Sequence, residues 1–184
     1  MSATPSLSPA TPLGFEALYR QEIGFVWRTL RFLGVGAADV EDVAHEVFII
    51  VQRRFGDLDP QRSPRAWIGG ITRRVVLHHR RSLSRAERKK AALQQVPVPD
   101  AEHPDRALSR REAAQLVQAF LDTLDPPRRE IFVLMTLEGL TGREVAEIVG
   151  TSPNTVSSRL RSARRDFDRF LAQRARAGGA HGHG

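Results

Sequence analysis

Residues Gly142–Arg165 read GREVAEIVGTSPNTVSSRLRSARR, and the spacing within that stretch decides the fold. A short helix is expected over Gly142–Val149, with Val145, Ala146, Ile148 and Val149 facing inward. Gly150 supplies a helix-ending position where φ is positive without steric cost. Ser152 suits an N-cap and Pro153 the first helical position of a second helix. Val156, Leu160 and Ala163 then recur at helical spacing, while Arg159, Arg161, Arg164 and Arg165 project elsewhere. A small residue at the crossing (Ala146), a glycine turn and an apolar stripe on the second helix are what a helix-turn-helix requires. Arginines on that second helix suit an element lying among phosphates. A solvated basic helix in an ordinary bundle would explain the charge, but not the turn, the cap and the small residue together.

The chain has 184 residues, enough for one ordinary domain or two small ones. Its net charge is +7 and its isoelectric point about 11.1, which favours a polyanionic partner. With no cysteine, disulfides and thiolate metal sites are excluded and a reducing compartment is compatible. No apolar run approaches the ~20 residues that span a bilayer, so no membrane insertion is expected. The opening MSATPSLSPATPLG lacks the charged start and apolar centre of a secretion signal.

Charge is segregated along the chain. Residues 37–60 hold six acids and two bases, residues 62–90 ten bases and one acid, residues 91–152 ten acids and six bases, and residues 153–176 seven bases and two acids. A surface built for solubility mixes the signs. Two acidic blocks, each followed by a basic one, suggest two modules that touch nucleic acid and also carry acidic surfaces for another purpose.

Apolar periodicity gives an all-α fold, two small helical bundles joined by a flexible linker, the second containing the helix-turn-helix. Phe15, Leu18, Tyr19, Val26, Trp27, Leu30 and Leu33 mark a first helix, closed near Gly34 and Gly36. Val40, Val43, Ala44, Val47, Ile50 and Val51 mark a second, closed by Gly56. The loop GDLDPQRSP follows, then a third helix from Pro64 through Trp67, Ile68, Ile71 and Val75 into HHRRSLSRAERKK. A fourth helix is expected over about Asp105–Leu124. Asp125 caps a fifth that opens on Pro126 and runs through Leu137. The domain reading is a disordered start over 1–12, a first module over 13–82, a linker over 83–108, a second module over 109–172 and a disordered tail over 173–184. The linker implies bundles that are mobile relative to each other in the free protein.

Three separated stretches resemble one known family. DVEDVAHEVFIIVQRRF (Asp39–Phe55), SPRAWIGGITRRVVLHHRR (Ser63–Arg81) and TLDPPRREIFVLMTLEGLTGREVAEIVGTSPNTVSSRLRSARRDF (Thr123–Phe167) are similar, in order and spacing, to the conserved segments of bacterial RNA polymerase sigma factors of the extracytoplasmic-function group. The likeness runs from about Phe15 to Leu171, the linker excepted. It implies a cytoplasmic initiation factor, a monomer when free, that brings core RNA polymerase to promoter DNA. Modules one and two correspond to sigma regions 2 and 4.

The resemblance also implies residue roles. Asp39, Asp42 and Glu46 lie on one side of the second helix at i, i+3, i+7 and match the surface that docks on core polymerase. An acidic stripe repels phosphate, so docking on protein suits it better than contact with DNA. Arg62, Arg65, Arg73, Arg74, Arg80 and Arg81, with His78, match the segment that holds the opened −10 strand, and the loop from Phe55 to Arg62 would line a pocket for an unstacked base. This chain has Thr72, Arg74 and His78 where the family often has Ala, Asn and Asp, which bears on its −10 preference. Trp67 shares the apolar face with Ile71 and reads as core. Ser152, Asn154, Ser157, Ser158, Arg161, Ser162, Arg164 and Arg165 match the −35 recognition helix, where Arg grips guanine and Ser or Asn contacts bases or phosphates. Members of the family are often held inactive by an anti-sigma factor, although no residue here identifies one.

Other chemistry finds little support. His45-Glu46 begins like a zinc-protease motif, but Ile49 stands where the second histidine belongs. His78 and His79 point in different directions on a helix. His181 and His183 sit in a Gly-rich tail. No phosphate loop or nucleophile triad is present, so neither an enzyme nor a cofactor is expected. A stand-alone dimeric helix-turn-helix regulator and a helical adaptor are the rival readings. The acidic helix counts against the first, and the basic blocks against the second.

Overall fold

The computed structural model describes residues 14–90 and 108–179. Seven α-helices occur among them, with no strand: α1 (Phe15–Phe32), α2 (Val40–Arg53), α3 (Pro64–Lys90), α4 (Leu108–Asp122), α5 (Pro126–Phe132), α6 (Gly142–Val149) and α7 (Pro153–Gly179). The expected disordered start and the centre of the linker, with the tail histidines, lie outside the described residues. Helix α3 runs past Leu83, where the sequence reading began the linker, and α7 runs past Ala172, where it ended the second module.

Helices α1, α2 and α3 form the first bundle around Phe25, Val26, Leu30, Val47, Val51 and Ile68, all buried. Full burial of each such side chain stabilises by roughly 1.5–3 kcal/mol before entropy is subtracted. Gly34 ends α1 with φ +88°, a value that L side chains rarely adopt. Trp67 is half-buried against the core, as its position beside Ile71 predicts, but Tyr19 and Trp27 are 40% and 39% exposed. The apolar face read on α1 is therefore wider than the stripe the bundle covers.

In the second bundle Phe120 packs edge-on or tilted against Phe132, Phe167 and Phe170, with ring centroids 4.8–5.6 Å away. Asp125 caps α5 as expected, accepting from Arg128 N at 3.0 Å. The chain continues from α5 into one wider turn over Val133–Leu137, where Glu138 N donates to Val133 O at 3.0 Å.

The bundles do not stand apart. Helix α6 lies on α3, with Gly69 at the contact: a Cβ there would meet Ile148 Cδ1 at 3.4 Å and Leu140 Cδ1 at 3.7 Å. Arg28 donates twice to the buried Glu138 carboxylate, at 3.1 and 2.9 Å. Arg73 Nε donates to Glu130 at 2.6 Å, and Arg129 Nε donates to Phe32 O at the end of α1, also at 2.6 Å. Across this seam, acids of the second module face arginines of the first.

Candidate nucleic-acid and polymerase interfaces

The turn between α6 and α7 follows from local chemistry. Thr141 and Glu144 form a reciprocal capping box at the start of α6. Burial raises the Glu144 carboxyl, but hydrogen bonds from Thr141 and Ser63 outweigh it and hold the group below its ordinary value. Gly150 ends α6 in the left-handed region at φ 70°, ψ 44°, and Gly150 N and Thr151 N both donate to Ala146 O at 3.0 Å. Val145 and Ala146 of α6 meet Val156, Leu160 and Ala163 of α7, all buried. Arg128 braces α7 from behind: its Nη1 donates to Asp166 at 2.5 Å and lies 3.5 Å from Ser162 Oγ.

The opposite side of α7 is open. Asn154, Ser157, Ser158, Arg161, Arg164 and Arg165 are all exposed and have no protein partner among the described residues. At ~100° per residue they occupy an arc of about 120° facing away from Val156, Leu160 and Ala163. Two of the sequence candidates differ. Ser152 Oγ caps α7 by accepting from Thr155 N at 3.1 Å, and Ser162 is half-buried beside Arg128. Arg159 lies off the arc and lines a cleft of about 210 Å³ at the seam with Arg73, Arg80 and Glu130.

Helix α3 is used differently. Arg65 donates to the buried Glu22 carboxylate at 2.8 Å, with its guanidinium 5.3 Å from the Phe25 ring centroid. Arg80 donates to Leu33 O; burial and then the nearby Arg129 lower its pKa. Arg73 pairs with Glu130, and Arg62 Nη1 lies 3.4 Å from Glu147 Oε2. Thr72 is buried and donates back to Ile68 O at 2.9 Å, so its hydroxyl faces the helix and not a ligand. Arg74 and His78 remain exposed with Arg81, at i, i+4, i+7. Arg81 also donates to Leu77 O at 3.1 Å.

The acidic stripe of α2 is brought together in part. Asp42 and Glu46 are exposed, whereas Asp39 is half-buried with Oδ2 3.5 Å from His79 Nε2. Ile49 is 37% exposed one turn beyond Glu46 and was not singled out from the sequence. Its period-seven relation to Asp42 is the signal that would have found it. Buried Glu22 and Glu138 were also missed, because their partners lie 43 and 110 residues away. Among the described residues no group of His, Cys, Asp and Glu is placed to hold a metal ion, and no helix is long and apolar enough to cross a membrane.

Comparison with known proteins matches this geometry. Residues 18–86 match the family described as Sigma-70 region 2, and residues 114–167 match Sigma-70, region 4. The chain is 34% identical over 148 residues to the ferric citrate uptake sigma factor FecI of Escherichia coli, covering 78% of this chain and 83% of that protein. It is 30% identical over 161 residues to the ECF RNA polymerase sigma factor SigE of Mycolicibacterium smegmatis, covering 86% of this chain and 62% of that protein. In fold it is similar to the sigma factor RpoE of Bartonella quintana, solved in complex with the anti-sigma factor NepR. That match has TM-score 0.70 and 18% identity, covering 86% of this chain and 96% of that one.

Proposed function

The chain belongs to the extracytoplasmic-function group of the sigma-70 family, and from that premise we propose how its two modules divide the work of directing promoter-specific transcription initiation. The outward arc of α7 enters the major groove of the −35 element. Arg161 is central to it and reaches a base edge or phosphate, with Arg164 and Arg165 gripping the backbone. Arg74, His78 and Arg81 on the outer side of α3 hold the backbone of the opened −10 strand. Asp42, Glu46 and Ile49 dock on core polymerase, an acidic surface with an apolar side chain at its end. The chain itself forms no phosphodiester bond; core polymerase does that in the cytoplasm, where an anti-sigma factor is a further partner.

The observation that carries this reading is the exposed arc of polar and basic side chains on α7, outside its buried stripe and without a partner among the described residues. The test is transcription with purified core polymerase. Wild-type protein yields −35-dependent transcripts and co-purifies with core. A protein that binds duplex DNA but neither captures core nor supports transcripts would be a stand-alone regulator instead.

A further inference from the structure

Three acids of the second module, Glu130, Glu138 and Glu147, each face an arginine of the first: Arg73, Arg28 and Arg62. All three acids come from the net-negative block 91–152, and Arg62 and Arg73 from the strongly basic block 62–90. The segregation of charge along the chain therefore has a partner within the chain. Glu138 is almost fully buried, so its pairing with Arg28 is needed if the end of the Val133–Leu137 turn is to stay on α1.

We propose that the acidic side of the second module is an internal stand-in for a nucleic-acid strand, which closes the free protein and covers part of its own strand-binding face. Glu130 and Glu147 occupy guanidiniums that a phosphate backbone would otherwise take. A polyanionic single strand and the second module compete for Arg62 and Arg73. Strand affinity is then lowered by the fraction of molecules that are closed. Arg65 takes no part, because its acid, Glu22, lies in its own module. The proposal rests on the reading of α3 as a strand-binding surface, but closure is measurable without it.

The chain has no cysteine, so Gln52→Cys and Thr136→Cys place one dye on an exposed position of each module. Energy transfer reports closure in the full-length protein, and fluorescence anisotropy reports binding of a short single-stranded DNA. The seam variant carries Glu130→Gln, Glu138→Gln and Glu147→Gln. A control with Glu16→Gln, Glu41→Gln and Asp168→Asn changes the net charge equally at exposed sites away from the seam. Circular dichroism checks that both remain helical. The expected result is a fall in transfer and about 5–150-fold tighter strand binding in the seam variant alone, the ordinary range for coupled sites. Reciprocal exchange, Arg73→Glu with Glu130→Arg, keeps transfer high, whereas Arg73→Glu alone lowers it. Unchanged transfer in the seam variant, or equal gains in strand affinity by seam variant and control, overturns the proposal. The strand-binding reading fails separately if Arg74→Ala with His78→Ala leaves the affinity of the open variant unchanged.

Discussion

Helices α3 and α7 are both 27 residues long and both strongly basic, yet they present their arginines in opposite ways. On α7 the arginines of the outward arc face solvent with no protein partner among the described residues. On α3, Arg65, Arg73 and Arg80 are held by Glu22, Glu130 and Leu33 O, while Arg74 and His78 are exposed. Basicity in a sequence thus measures how many cations a helix carries, not how many it offers. The difference also fits the two targets. Duplex DNA is always available to an open helix, whereas a single strand appears only once the promoter has been opened.

The largest effect is expected away from both helices. Reversing Asp42 and Glu46 to Lys replaces attraction with repulsion at the polymerase surface, at a cost of several kcal/mol. Pull-down with core polymerase should show capture nearly abolished, while the variant keeps its duplex affinity. Equal capture by variant and wild type would remove α2 from the docking surface. Next comes Arg161→Ala, expected to weaken −35-dependent transcription by about 1–3 kcal/mol if it contacts a base. The same change in Arg65, the half-exposed partner of buried Glu22, should instead lower stability, measured by urea unfolding, because Glu22 would lose its hydrogen-bonded partner. That contrast is the sharpest form of the comparison between α7 and α3.

Smaller effects test the frame that holds α7. Gly150→Ala should cost roughly 1–2 kcal/mol, since the new Cβ meets no neighbour and only the left-handed backbone resists it. A thermal melt with unchanged midpoint would show that the turn is not strained. The smallest effect is in pH. The backbone N–H of Arg128 is the largest influence holding Asp125 below its ordinary 3.8, and Glu144 is held below its ordinary 4.5 against burial. Carboxylates depressed in the folded state stabilise it above their unfolded pKa, and that contribution is lost as pH falls through the lower folded value. Acid titration followed by circular dichroism should therefore show the second module loosening below about pH 4.5, with Thr141→Ala reducing that pH-dependent loss because it removes a hydrogen bond that holds Glu144 low.

The helix-turn-helix was legible because every determinant is local: Gly150, the Ser152 cap, Pro153 and the stripe Val156, Leu160, Ala163 lie within one short window. That Asn154, Ser157, Ser158, Arg161, Arg164 and Arg165 share one exposed face was legible for the same reason, whereas the half-burial of Ser162 was not, because its neighbour Arg128 lies 34 residues earlier. The fate of the α3 arginines was not legible. Their acids lie 43 and 57 residues away, and no local period points to them. The seam between modules was hidden for the same reason, although the alternating charge blocks carried its trace. Exposed Ile49 was read only as the residue that breaks a zinc motif, because it falls outside the apolar stripe of α2.

Transcription by purified core polymerase, on promoters altered separately at −35 and at −10, tests the division of labour most directly. Arg161→Ala should lose discrimination at −35 and keep it at −10. Arg74→Ala with His78→Ala should do the reverse, reducing strand opening while −35 preference is retained. If both variants fail at the same element, or if neither changes transcription while both remain folded, the assignment of α7 to the duplex and α3 to the opened strand is wrong.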